Sequence, residues 1–128
     1  MEGKNRKLLI IEDDEALGYE LQKLFEGDFE IERCVEGMNA VSHANTFNPN
    51  IILLDIILLG VFDGMAILKS LKSVKKTHDI PVVIYTNLPD DKSAEYLSFG
   101  AAEYLDKSKT SFDQLREVIF RNIEPKQK

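Results

Sequence analysis

Acidic side chains directly follow some of the short apolar runs in this 128-residue chain. Glu12 and Asp13 come after the run at 8–11, and Asp55 comes after the run at 51–54. Since Asp55 has aliphatic neighbours on both sides, its ionised form is costly unless a cation or hydrogen bonds compensate for the charge. If the three carboxylates lie together they also repel one another, and such clusters usually bind a hard divalent cation through oxygen. A few carboxylates with open coordination positions suit Mg²⁺, which also accepts phosphate oxygens.

Two more polar residues occupy similar positions in the second half of the chain. Thr86 follows the run at 81–85, and Lys107 lies just after the run at 102–105. A hydroxyl and an ammonium are groups that bind the oxygens of a phosphoryl group. Together with a carboxylate nucleophile and a metal ion, they predict an aspartate that accepts a phosphoryl group, and Asp55 is the candidate acceptor.

The elements that must position these residues are predicted by two alternating patterns. Nearly continuous aliphatic runs at 8–11, 51–54 and 81–85 are typical of strands buried on both faces of a parallel sheet. The run at 29–35 is interrupted by charges and predicts an edge strand, and 102–105 predicts a fifth strand. Stretches with helical spacing separate the strands, so the chain is predicted to be an α/β protein with a doubly wound, five-stranded parallel sheet and five helices. In such sheets ligands bind at the carboxyl ends of the strands, where all the polar residues above would meet.

Several helix features can also be predicted. Asp14 suits the N-cap of the first helix, and Ser111 with Gln114 forms a capping-box pattern before the last. Ala94 and Leu97 are predicted to face the core from the fourth helix. The third helix is predicted to carry a solvated basic face made of Lys69, Lys72, Lys75 and Lys76.

The composition excludes several function classes. With 22 Asp and Glu against 16 Lys and Arg, the net charge of −6 argues against direct binding to nucleic acid or to an anionic membrane surface. No apolar run approaches the length of a membrane span, and the N-terminus lacks the pattern of a signal peptide. The single cysteine, Cys34, excludes an internal disulfide and a multi-cysteine zinc site. We therefore predict one cytoplasmic domain over residues 1–128, with a core from about 7 to 124.

The chain resembles the receiver domain of two-component response regulators over essentially its whole length. The segments that carry this resemblance, in chain order, are 8–14, 52–55, 63–64, 81–86 and 100–107. Each segment alone is a weak signal, but five of them in order at the right spacing are specific. The resemblance implies a flavodoxin-like fold with strand order 2-1-3-4-5.

The resemblance also assigns roles to the acidic residues. Asp55 would accept the phosphoryl group from a phosphohistidine of a histidine kinase or phosphotransfer protein. Glu12 and Asp13 would hold Mg²⁺ together with Asp55 and the backbone carbonyl of Ile57. The domain would thus catalyse only its own phosphorylation and dephosphorylation.

Three other residues receive roles in switching. By the resemblance, Lys107 would contact the phosphoryl group, Thr86 would move toward it, and Tyr104 would be the aromatic residue whose rotamer reports the state. The added negative charge would shift the surface formed by helix 4, strand 5 and helix 5 between two arrangements. A downstream protein would bind through that face.

The sequence departs from the family pattern around the candidate site. After Asp55, Leu59 stands where the family usually has proline, and Asp63 with Gly64 comes one residue later than usual. Ser108 follows Lys107 in place of a proline whose peptide bond is cis, and losing that rigid turn is expected to loosen the placement of the lysine.

Two further departures concern access and hydrolysis. Asn87 replaces a small residue after Thr86 and is expected to narrow the access to Asp55. Ile57 and Leu88 occupy positions that often orient the hydrolytic water, and neither side chain can form hydrogen bonds. We therefore expect a long-lived phosphoaspartate.

Three functions remain open at this point. The leading hypothesis is a stand-alone receiver domain that works as a phosphorylation switch. A degenerate receiver that acts as a phosphorylation-independent interaction or scaffold module is the alternative, although the joint presence of Glu12, Asp13, Asp55, Thr86 and Lys107 argues against it. A Mg²⁺-dependent phosphotransfer enzyme is the third, and it is disfavoured because neither substrate-pocket residues nor a second general acid or base are evident.

Overall fold

Strands and helices alternate along the chain. The computed structural model describes residues 6–57, 64–88 and 92–123. Leu59, Asp63 and the longer loop around them lie outside the described residues. In chain order the elements are β1 Lys7–Ile11, α1 Glu15–Phe25, β2 Glu30–Cys34, a 3₁₀ turn at Gly37–Asn39, α2 Ala40–Phe47, β3 Ile51–Leu54, α3 Gly64–Ser73, β4 Val82–Thr86, α4 Ser93–Ser98, β5 Glu103–Asp106 and α5 Phe112–Arg121.

The five strands form one parallel sheet in the order β2-β1-β3-β4-β5. This confirms the predicted fold class and strand order. It also confirms β2 as an edge strand, and the residues of β2 are more exposed than those of β1 or β3. The central strands β1 and β3 pair in the register Ile11 with Leu54, so both strands end at the same level of the sheet.

Helices cover both faces of the sheet, which explains the unbroken aliphatic runs. Leu9 and Ile11 point into one cluster, packed under α2, α3 and α4. Leu8 and Ile10 point to the other side, into a cluster under α1 and α5. Alternate residues of β1 point to opposite faces of the sheet, and helices cover both faces. A polar residue at every second position of β1 would therefore be buried against one of the helix layers.

Both predicted helix caps are confirmed. The backbone N–H of Leu17 donates to the Asp14 carboxylate at 3.1 Å, so Asp14 is the N-cap of α1. The Ser111 hydroxyl accepts from the N–H of Gln114 at 3.1 Å, and the Gln114 side chain accepts from the N–H of Ser111 at 2.8 Å. This reciprocal pair is a complete capping box at the start of α5.

The prediction for α4 was wrong. Ala94 and Leu97 are exposed, and the buried residue of α4 is Tyr96. Its ring packs against that of Tyr104 on β5, with the centroids 5.7 Å apart. A helix of six residues has too few positions to define a stripe, so the side chain with the larger apolar surface decides which face is buried.

Lys72 was also predicted wrongly as part of a solvated face. It is half-buried, and its ammonium donates to the carbonyl oxygens of Ile80 at 2.8 Å and His78 at 3.1 Å. Burial lowers the pKa of Lys72. The lysine thereby fastens α3 to the segment that leads into β4, a contact that helical spacing alone does not reveal.

Gly64, the first residue of α3, allows this helix to approach the end of β3. Its N–H donates to the carbonyl of Ile56 at 3.2 Å. A Cβ atom at position 64 would lie 2.3 Å from the backbone Cα of Ile56 and 2.2 Å from its Cβ. Only glycine fits this contact, which holds the chain close to Asp55.

Among the described helices, none is both long and apolar enough to cross a membrane.

Candidate functional site

The three predicted carboxylates lie together at the carboxyl edge of the sheet. The N–H of Asp55 donates to the carbonyl of Ile11 at 2.9 Å, which places Asp55 beside the end of β1 and next to Glu12. Carboxylate oxygens of Glu12, Asp13 and Asp55 all lie within 4.8 Å of one another. Glu12 is 3% exposed and Asp55 is 6% exposed, whereas Asp13 is half-buried. The neighbouring ends of β1 and β3 therefore bring Asp55 beside two acids that lie far from it in the sequence.

Lys107 supplies the positive charge of the site. Its ammonium donates to Glu12 Oε1 at 2.9 Å and to Asp55 Oδ2 at 2.9 Å. Only 12% of the lysine side chain is exposed. The sequence predicted Lys107 near the acceptor aspartate but did not reveal its second bond, to Glu12.

The electrostatics of the site reflect an excess of negative charge. Burial raises the pKa of Glu12, and the nearby Asp55 adds to this effect, while the hydrogen bond from Lys107 opposes it. Burial by itself would lower the pKa of Lys107, but its bonds to Glu12 and Asp55 hold that pKa above the usual value. Among the described residues of the site, three carboxylates face one ammonium, and a further cation would offset the remaining negative charge.

Two backbone N–H groups orient the carboxylates. Asp55 Oδ1 accepts from the N–H of Ile57 at 3.0 Å, and Glu12 Oε2 accepts from the N–H of Asp14 at 3.2 Å. Ile57 is 49% exposed beside the site. The use of its carbonyl oxygen as a metal ligand stays a prediction.

Thr86 and Tyr104 are connected through one residue of the segment after β4. The Thr86 hydroxyl is fully buried and accepts from the N–H of Leu88 at 3.3 Å. The Tyr104 hydroxyl donates to the carbonyl of Leu88 at 3.4 Å. Asn87, which lies between Thr86 and Leu88 in the chain, is exposed. The two residues predicted to switch are therefore held by the same peptide segment.

A contact that the sequence analysis missed lies directly after β5. The Asp106 carboxylate accepts from both the N–H and the hydroxyl of Ser108, at 2.8 Å and 2.7 Å. The signal that could have revealed it is an aspartate two residues before a serine at a strand end, since Asp side chains often bind the backbone N–H two residues on. The turn that contains Ser108 therefore has hydrogen bonds of its own, and the loosening of Lys107 expected from the missing proline stays a prediction.

Residues 8–120 match the family described as the response regulator receiver domain. The chain belongs to this family. The receiver domain is 33% identical over 104 residues to the DNA-binding dual master transcriptional regulator RpaA of Synechocystis, in a match that covers 79% of the chain and 42% of RpaA. It matches between 22% and 56% of the length of such curated relatives. The predicted extent of the domain, residues 1–128, stays a prediction.

Solved structures of receiver domains have the same fold. The receiver domain of a DNA-binding response regulator from Colwellia psychrerythraea has a TM-score of 0.84 and 27% identity, covering 94% of this chain and 99% of that one. The receiver domain of the sensor histidine kinase PA1611 from Pseudomonas aeruginosa has a TM-score of 0.80 and 20% identity, covering 92% and 97% of the two chains. That structure has a magnesium ion coordinated in its active site cleft. Receiver domains bind Mg²⁺ at an acidic pocket, and the cluster of Glu12, Asp13 and Asp55 fits such a pocket.

Proposed function

We propose that the receiver domain accepts a phosphoryl group on Asp55 and thereby switches its binding to partner proteins. The observation that carries this proposal is the placement of Asp55: a buried carboxylate beside two other acids, held by the Lys107 ammonium and the Ile57 N–H. A carboxylate fixed in this way is a positioned nucleophile, since its orientation is set before any donor arrives.

In the proposed transfer, an oxygen of Asp55 forms a bond to phosphorus while the N–P bond of a phosphohistidine breaks. The bonding electron pair stays on the departing imidazole nitrogen. The donor is a histidine kinase or a phosphotransfer protein. Lys107, whose ammonium already contacts Asp55, would bind an oxygen of the transferred group and offset its charge.

Glu12, Asp13 and Asp55 would hold Mg²⁺, with the Ile57 carbonyl as the further protein ligand. An all-oxygen donor set is what this hard cation prefers. When bound, the ion supplies positive charge that offsets the charge of the phosphoryl oxygens. In the cluster itself, the mutual repulsion of the carboxylates is the property that favours such an ion.

Switching would begin at Thr86 and pass through Leu88. If the Thr86 hydroxyl turns to the phosphoryl group, the Leu88 N–H loses its present acceptor. The Leu88 carbonyl is also the acceptor of the Tyr104 hydroxyl, so a rearranged segment would release Tyr104. Tyr104 packs on Tyr96 of α4, and the α4–β5–α5 face would therefore change with it. We propose this face as the binding site of a downstream protein. We also propose that the receiver domain works in the cytoplasm.

The test is phosphorylation of the full chain by acetyl phosphate and by a phosphorylated phosphotransfer protein, each with Mg²⁺. Both donors are needed because Asn87 is expected to narrow the access of small donors such as acetyl phosphate to Asp55. We expect a mass increase of one phosphoryl group in the wild type and none in Asp55→Asn, which keeps the size and shape of the side chain. No modification by either donor, or equal modification of Asp55→Asn, would contradict the proposal and favour the scaffold alternative.

A further inference from the structure

The side chain of Lys107 is long and has many rotamers, so its ammonium can reach many positions. A fixed backbone limits these positions and helps to keep the ammonium at Asp55. The N–H of Lys107 donates to the carbonyl of Thr86 at 2.7 Å, which extends the pairing of β4 and β5 by one residue. After Lys107 the chain turns sharply: the N–H of Lys109 donates to the carbonyl of Asp106 at 3.0 Å. Lys107 therefore occupies the first inner position of a β-turn.

The Asp106 side chain closes the same turn from outside. One of its oxygens, Oδ1, accepts from the N–H of Ser108 at 2.8 Å and from the Ser108 hydroxyl at 2.7 Å. Both residues flank Lys107 in the chain, so these two bonds restrain the backbone on either side of it. A proline at position 108 would have neither donor, and its ring would restrain the turn instead. The hydrogen bonds between Asp106 and Ser108 thus restrain the turn after Lys107 in a different way from a proline ring.

We propose that Asp106 and Ser108 are positioning residues for Lys107, which hold its ammonium between Glu12 and Asp55. This inference rests on the proposed function of Lys107 in binding the phosphoryl group. Asp106 and Ser108 act through the lysine, by setting the direction in which its Cα–Cβ bond leaves the turn. The hydrogen bonds from Ser108 also lower the pKa of Asp106, as expected where both bonds are accepted by the ionised carboxylate.

Three variants of the full chain test this positioning role. Asp106→Ala removes the acceptor of both bonds, whereas Asp106→Asn keeps a side-chain oxygen that can accept them. Ser111→Ala is the matched control, because it removes the N-cap of α5 in the same loop and leaves the bonds of Asp106 in place. Two quantities are measured: the rate of Asp55 phosphorylation by phosphoramidate at saturating Mg²⁺, and the NMR resonance of the Lys107 ammonium, which Lys107→Arg identifies.

We expect Asp106→Ala to lower the phosphorylation rate about tenfold, since small displacements of a charged group at a reacting centre are costly. Its Lys107 ammonium should shift to the resonance position of solvent-exposed lysines. Asp106→Asn and Ser111→Ala should keep both the rate and the resonance close to those of the wild type. In a Lys107→Ala background, Asp106→Ala should have no further effect on the rate, because its action requires the lysine.

Two results would overturn the inference. One is a wild-type rate and resonance in Asp106→Ala. The other is an equal loss of rate from Asp106→Ala with and without Lys107, which would indicate a general structural effect. If the wild type accepts no phosphoryl group from phosphoramidate, from acetyl phosphate or from the phosphorylated phosphotransfer protein, the proposed function fails, and the ammonium resonance alone then decides whether Asp106 positions Lys107.

Discussion

The ammonium of Lys107 lies 2.9 Å from Glu12 Oε1, although the two residues are 95 positions apart in the chain. The same ammonium binds Asp55, so it is shared between two buried carboxylates. Glu12 and Asp55 are also the proposed ligands of Mg²⁺. The lysine is therefore the counter-charge that the protein itself provides when these acids hold no metal.

Removal of this counter-charge should destabilise the metal-free protein. We expect Lys107→Ala to lower the free energy of unfolding by about 3 kcal/mol, because it leaves the buried carboxylates of Glu12 and Asp55 without the ammonium that offsets their charge. Saturating Mg²⁺ should stabilise this variant more than the wild type, since the ion replaces the lost charge. Urea denaturation with and without Mg²⁺ measures both effects.

The control is Lys23→Ala, which removes an exposed pair with Glu26 at the end of α1. It should leave the stability and the effect of Mg²⁺ almost unchanged, since solvent screens such pairs. Equal responses of the two lysine variants to Mg²⁺ would contradict the role assigned to Lys107.

The phosphoaspartate should be long-lived, on a scale of many minutes to hours. The reason is that Ile57, exposed beside Asp55, and Leu88 have no polar atom in their side chains to orient an attacking water. Ile57→Asn should shorten the lifetime at least several-fold, and Met38→Asn, at another exposed apolar residue, should not. Loss of radiolabelled phosphate from the purified domain measures the lifetime. Decay of the wild type within seconds would rule the idea out.

Gly64 should tolerate no side chain. Gly64→Ala places a Cβ within 2.3 Å of the Ile56 backbone, so α3 or the end of β3 must shift. We expect a loss of about 2–3 kcal/mol in the free energy of unfolding, as for other overpacked sites. Gly27→Ala is the matched control, since a Cβ there meets nothing within 4 Å, and it should change stability by no more than about 0.5 kcal/mol. Similar chemical denaturation curves for the two variants would contradict this prediction, because they would show that α3 and Ile56 can move apart at little cost in stability.

The ion pair between Glu103 and Arg121 should make stability depend on pH. Arg121 binds both oxygens of Glu103, at 2.8 and 2.9 Å, and ties the start of β5 to the end of α5. The hydrogen bonds from Arg121 hold the pKa of Glu103 below its usual value of 4.5. The resulting stability is therefore fully present above about pH 4.5 and is lost as the pH falls through the lower pKa of the folded state.

Glu103→Gln tests this dependence. The variant should be less stable than the wild type at pH 7, and the difference should shrink as the pH drops from 4.5 toward 3, measured by urea denaturation at each pH. Glu30→Gln, at an exposed residue of β2, serves as the control. A difference between wild type and Glu103→Gln that stays constant with pH would show that the charge of Glu103 is not its cause.

Local patterns in the sequence were sufficient for most of the fold. Continuous aliphatic runs predicted the buried strands, and Asp14 and Ser111 marked the starts of α1 and α5, because a cap depends on atoms within three residues. Local patterns failed where burial depends on a distant neighbour. Tyr96 is buried because Tyr104 lies beneath it, and Lys72 is half-buried because α3 passes over the carbonyl groups before β4.

For the candidate site, the sequence by itself determined which groups are present: three carboxylates, a lysine and a threonine, each at or just after the carboxyl end of a strand. Parallel strands end at a common edge, so these groups had to meet there. Only the tertiary structure decided how they meet. The bonds of Lys107 to both Glu12 and Asp55, and the turn that Asp106 and Ser108 close around it, depend on side-chain directions and distances of a few ångströms. Such geometry is set by the packing of the whole sheet, and no short stretch of sequence contains it.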